Sequence, residues 1–257
     1  MRFSYRLLFA FRYATVHVLI SGLVAILSAA VVFGLWYTAP YRYLLGVTGM
    51  YVLILAVDVV CGPLLTLVLA SPKKSQRERW LDFSLIGLIQ IAALAYGMHS
   101  VWLGRPIVLA FEVDRLVVVT ANEIQTEQLL DAPNDLQHLP WAGVLEVTTR
   151  RPRDNAELFD SIDRGFSGVS LAMQPSWWLP WSSGHDLMAL RSRPLADLIA
   201  RRPKDASILQ AAAYASGHDT QTLRYLPLVS RQTQEWVALL DAEMRMVGWA
   251  PVDGFIP

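Results

Sequence analysis

Three apolar runs, at about residues 15–37, 43–70 and 81–103, constrain this chain more than any other feature. Each is long enough to cross ~30 Å of hydrocarbon as a helix. The first carries no charge, and its polar members include His17, Ser21 and Ser28. The second holds one charge, Asp58, and the third has Asp82 near its start and Gln90 inside. A signal-peptide core is shorter, ~7–15 residues, so the first run is expected to stay as an uncleaved anchor.

The flanking charges predict an orientation. Arg2, Arg6 and Arg12 precede or begin the first run, and Lys73, Lys74, Arg77 and Arg79 lie between the second and third. Only Arg42 lies between the first and second. Basic residues mark the cytoplasmic side. The N-terminus is therefore expected in the cytoplasm, and the chain after Gly104 on the far side. Trp36, Tyr37, Trp80 and Trp102 fall at the expected interfaces, where aromatic residues concentrate. The charge balance supports this division: 8 Lys/Arg against 3 Asp/Glu up to Gly104, then 14 against 19. The fold expected is a three-helix transmembrane domain over residues 1–104, then a periplasmic α+β domain over 105–257.

An ionised Asp58 in mid-span is costly, about 2.5–3.5 kcal/mol on insertion scales. It is expected to face protein or water, to be protonated, or to have a partner. Gly62 and Thr66 follow one and two turns later, and Gly62 would let another helix approach closely. Pro63 predicts a kink beside Asp58, because it removes a helix hydrogen bond and clashes with the carbonyl of Val59. Gln90 falls at similar depth in an antiparallel neighbour and is expected to hydrogen-bond Asp58. Such a clamp could hold the bundle together, dock a partner or handle a proton. Cys61 is expected to be a small buried hydrophobe.

Beyond the third run, residues 106–120 predict a hairpin, with strands at 107–111 and 116–120 around Val113, Asp114 and Arg115. A short helix is expected at 121–130, a loop at 131–140 and a strand at 144–149. Asp154 is placed to cap a helix over 156–163 that Gly165 would end. Trp177, Trp178 and Trp181, set among prolines and Ser-Ser-Gly, predict an aromatic loop that packs on the core or membrane, or contacts a partner. Helices at 194–200 and 206–215 and strands at 223–229, 235–240 and 246–249 complete a mostly antiparallel sheet.

Chemistry is sparse. The single cysteine excludes a disulfide framework and a Cys-based zinc site. No His has a zinc-type partner at i+3 or i+4, and there is no phosphate loop or dinucleotide fingerprint. No metal or cofactor is expected. Ser-Gly-His-Asp occurs at 183–186 and 216–219, but adjacent residues in one turn do not readily form a catalytic relay. The acidic second part repels phosphate, which argues against nucleic acid.

The stretch from Asp58 through Gly62 and Pro63 to Thr66, with Asp82, Gln90, Tyr96, Gly97, Arg105 and Pro106, resembles the TfpX/TfpZ family of type IV pilin accessory proteins. Phe111–Arg115, Leu223–Leu228 and Val252–Phe255 are similar too. The resemblance covers most of the chain and is looser over 134–222. It implies a non-enzymatic inner-membrane protein, a pilin-specific chaperone or modulator of pilus assembly and retraction. The major type IV pilin, the assembly machinery and the bilayer are the implied partners. Asp58, Gly62, Pro63, Thr66 and Gln90 would meet the pilin helix, and Trp177, Trp178 and Trp181 its head. A membrane enzyme acting on pilin or an envelope polymer is a competing reading; it would need a polar cluster at the outer boundary, where Arg42 and Arg105 are the charged residues. A sensor or transporter subunit is another, and three spans give little room for a transport pathway.

Overall fold

The long helices follow the apolar runs and extend a few residues into the flanking charged segments. The computed structural model describes residues 2–255, with side chains described from Arg6; the side chain of Arg2, counted in the basic flank, lies outside them. Helix α1 (Arg2–Val31) runs on through a π turn, Val32–Trp36, and stops before Pro40. A short helix α2 (Tyr41–Leu44) follows. Next come α3 (Val47–Ala56), a second π turn (Val57–Cys61) and α4 (Gly62–Leu69), which together form one apolar helix of 23 residues. Helix α5 (Gln76–Leu103) starts on a capping box: Ser75 Oγ accepts from Glu78 N–H, and Glu78 accepts from Ser75 N–H. The reciprocal pair satisfies two orphan helix-end donors. The second helix therefore begins at Val47, four residues later than expected.

Within the described residues the chain divides into two compact units. One consists of the residues up to Thr38 with Gly46–Gly104; the other consists of Ala39–Leu45 with the residues from Arg105 onward.

The first unit contains three long apolar helices. Leu19, Ile26, Leu53 and Leu88 all point outward. In water each would forgo about 1.5–3 kcal/mol of burial; hydrocarbon removes that cost. Cys61 is also on this outer surface rather than buried as expected. Inside, Gly97 lets the Ile54 side chain approach to where a Cβ would lie 2.8 Å from it. Tyr37 Oη donates to the Val101 carbonyl at 3.0 Å, and Trp36 packs edge-on against Trp102.

The second unit is built on one sheet. Its strands are β1 (Pro106–Glu112), β2 (Arg115–Thr120), β3 (Leu145–Thr149), β4 (Trp178–Pro180), β5 (Arg193–Pro194), β6 (Arg224–Val229), β7 (Trp236–Leu240) and β8 (Met246–Ala250). The order is β4-β3-β1-β2-β6-β7-β8, with β5 paired to β6. The sheet is mixed, not mostly antiparallel as expected, because β1–β3 and β2–β6 are parallel. Tight turns force antiparallel neighbours, as in β1–β2 and β6–β7, whereas long crossovers allow parallel ones. The chain reaches β3 and β6 by such crossovers. Helix α6 (Asn155–Phe166) lies between β3 and β4; α7 (His185–Arg191), α8 (Leu195–Arg201) and α9 (Ala206–Ala215) precede β6. The segment expected as a helix at 121–130 forms two 3₁₀ turns instead, Ala121–Glu123 and Thr126–Asp131.

Both sheet faces are covered, so the strands are almost wholly apolar. Leu109, Phe111, Leu226, Leu228, Ala238 and Leu240 point to one face. Their alternating neighbours Val108, Ala110, Tyr225, Val237 and Leu239 point to the other. Tyr41 and Leu44 of α2 are part of the first core. Leu44, expected at the start of the second apolar run, thus belongs with Tyr41 to the core of the sheet unit.

Candidate functional site

The polar groups of the helical unit converge where α3 passes into α4. A π turn pairs each carbonyl with the N–H five residues on, not four. Five residues beyond Asp58 stands Pro63, which has no N–H. The main-chain carbonyl of Asp58 instead accepts from Gln90 Nε2 of α5 at 2.9 Å. Gly62 makes room for this contact, since a Cβ there would lie 2.5 Å from Gln90 Cδ.

That bond orients the Gln90 amide and turns Oε1 toward α1. His17 Nε2 lies 2.6 Å from Gln90 Oε1, and His17 Nδ1 lies 2.6 Å from Thr66 Oγ1. An amide oxygen only accepts, so Nε2 carries the proton. In the neutral ring Nδ1 then accepts from the Thr66 hydroxyl. One histidine thereby joins all three long helices.

The expected partnership of Asp58 and Gln90 therefore runs through the main chain, and the carboxylate is not the acceptor. Asp58 is only 7% exposed, and its Oδ1 has no hydrogen-bond partner. It lines a cavity of about 230 Å³ bounded by His17, Ser21 and Gln90 and walled by Ile20, Val24, Leu55 and Leu94. Gly62, Pro63 and Thr66 act on the residues around the cavity: Gly62 gives Gln90 clearance, Pro63 has no N–H for the Asp58 carbonyl, and Thr66 bonds His17. Sequence reasoning passed over His17 as a site residue. Its signal was a titratable ring inside an otherwise charge-free run.

The tryptophans are placed differently. Trp177 and Trp178 are 4% and 1% exposed, and Trp178 Nε1 donates to the Ala172 carbonyl. Trp181 packs half-buried against the sheet core. These three side chains belong to the interior, not to an exposed contact patch. They follow the chain into 3₁₀ turns and the edge strand β4, which pairs with β3.

A run of exposed apolar side chains in this unit lies on α6. Asp154 caps it by accepting from Glu157 N–H at 2.8 Å. Its polar side is fastened inward, with Arg150 donating to both Glu157 oxygens at 2.8 and 2.6 Å and stacking 4.1 Å over Trp177. The Arg150 hydrogen bonds, helped by the Arg153 N–H, hold the Glu157 carboxyl down to about 2. Leu158, Phe159, Ile162 and Phe166 consequently point outward, and no α6 residue is buried.

The two Ser-Gly-His-Asp segments form helix boundaries: one opens α7, and the other closes α9 with Gly217 at a φ of 77°. Among the described residues, no group of three or more His, Cys, Asp or Glu side chains is placed to hold a metal ion.

A family profile described as "Fimbrial assembly protein FimB" matches residues 5–46. The chain is 33% identical over 251 residues to "Fimbrial assembly protein, serogroup I" of Dichelobacter nodosus, covering 97% of this chain and 98% of the relative. It is 31% identical to the serogroup E1 protein of the same organism, with the same coverage. It is 40% identical over 127 residues to the serogroups C1 and C2 protein, covering 49% of this chain and 97% of that relative. No solved structure matches.

Proposed function

Because this chain belongs to the fimbrial assembly protein family, we propose that it acts in fimbrial assembly as a non-enzymatic accessory protein of the TfpX/TfpZ type. In this reading it is a multi-pass protein of the bacterial inner membrane. Its N-terminus is cytoplasmic and the sheet unit periplasmic. It receives a type IV pilin subunit, whose apolar helix lies in the bilayer, and holds it or hands it to the assembly machinery.

The single observation that carries this reading is the half-open cavity between the three long helices, with an unpartnered, buried Asp58 on its wall. A carboxylate that served only to hold the bundle would have a partner inside it. In hydrocarbon an unpaired polar group is costly and points to function. A partner helix lying along the groove would cover the group. On the folded unit, the outward face of α6 is the surface offered to a pilin head, in place of the buried tryptophans.

Photo-crosslinking in native membranes tests this, with probes at Leu64, on the outer face of α4, and at Phe166 of α6. Pilin is expected at both positions. Replacing Asp58 with Asn should lower capture at Leu64 while leaving the amount of membrane-inserted protein unchanged. No pilin at either position, with the protein inserted normally, would overturn the proposal.

A further inference from the structure

We propose that the cavity beside Asp58 is a recognition site for a protonated amine carried on a compact apolar body. This rests on the reading above that the cavity faces a partner within the membrane, and it names the chemistry of the contacting group.

His17, Thr66 and Gln90 bond one another and the Asp58 main chain, and the Asp58 carboxylate does not join that network. Both His17 nitrogens and both ends of the Gln90 amide are engaged, with Thr66, with each other and with the Asp58 main chain. None of these bonds reaches the Asp58 side chain. Asp58 Oδ1 is enclosed and lacks a partner, and Asp58 is one of the residues that line the open volume. A carboxylate in such surroundings is strongly destabilised unless it takes up a proton or a cation meets it. A neutral donor would recover the hydrogen bond but not the charge. The rest of the wall is Ile20, Val24, Leu55, Ile91 and Leu94, which excludes a strongly hydrated ion and favours an ammonium on an apolar carrier. About 230 Å³ admits one small apolar body. Ser21, also on the wall, provides a second oxygen for the ammonium.

The test uses the purified full chain in detergent with 1-adamantylamine, which is cationic at neutral pH, and 1-adamantanol, its neutral counterpart. The amine should raise the unfolding temperature and bind about tenfold or more tightly than the alcohol, as a charge-assisted hydrogen bond requires. Asp58→Asn should abolish that preference. Equal responses to the two probes, no response to either, or an amine preference that survives Asp58→Asn would each overturn the proposal. Should Asp58→Asn fail to fold, Leu94→Phe keeps the carboxylate and fills the cavity; it should lose the amine response, and a retained response would refute the site. Pilin capture at Leu64 without any amine preference would overturn this inference alone. Amine preference without pilin capture would overturn only the proposed function.

Discussion

Gln90 reaches the Asp58 carbonyl only because Gly62 carries no side chain. Gly62→Ala therefore displaces Gln90 and, through it, His17. The expected loss is about 1–3 kcal/mol, the usual cost of forcing a methyl into a packed contact. Thermal unfolding in detergent measures it. An unchanged midpoint would mean that Gln90 swings away without consequence.

Histidine at position 17 satisfies two partners at once. His17→Ala leaves the Thr66 hydroxyl and the Gln90 amide oxygen without their bonds, at about 1–3 kcal/mol for each buried group. Thr66→Val should give a smaller loss, because only one bond is removed. Comparing the two variants by unfolding midpoint checks the order.

Leu44 is 1% exposed and packs with strand residues more than sixty positions away. Leu44→Ala should cost about 2–5 kcal/mol. The loss should appear in the unfolding of the sheet unit, read by near-ultraviolet circular dichroism. A change confined to the helical signal would contradict the placement of α2.

The carboxyl of Glu157 sits near 2 in the folded protein against an ordinary 4.5. A lowered folded value stabilises above the unfolded one, and that contribution disappears as pH falls through the folded value. Wild type should therefore exceed Glu157→Gln in unfolding temperature at pH 6, with the gap narrowing as pH drops from about 4.5 toward 2. A gap that stays constant across that window would show that the Arg150 pairing is not its source.

Phe159 and Phe166 stand 69% and 88% exposed. Changing both to Ser should shift stability by about 0.5 kcal/mol or less per site. Pilin capture near α6 should nonetheless fall. Equal capture by the double variant would remove α6 from the proposed partner surface.

Much of this structure was legible in the residues. Long apolar runs give helices because such a segment, in hydrocarbon, must bond its own backbone. The hairpin at 106–120 and the Asp154 cap are local events, set by a few neighbouring residues, and both form as expected. The parallel pairings were not legible, because crossover connections leave no turn signature between the strands they join. Prolines, serines and glycines around the tryptophans left packing on the core or membrane and partner contact both open; those residues serve the 3₁₀ turns that carry the rings inward. At the site, Asp58, Gly62, Pro63, Thr66 and Gln90 do come together, and Gln90 bonds Asp58 through its main-chain carbonyl, an atom that the residue pattern does not single out. Pro63 pointed to an orphan carbonyl at Val59, the α-helical choice. The π turn moves the vacancy to Asp58, and no side-chain pattern announces that shift.

The π turn at Val57–Cys61 also sets an angular phase. In an unbroken α-helix, eight residues rotate a side chain by about 80° beyond two full turns. The π turn spends an additional residue and takes back roughly one residue's rotation. Asp58 and Thr66 thus share a side of the helix, one bordering the cavity and the other bonding His17. Deleting a single residue here would leave every side chain chemically intact and turn half the helix away from its partners.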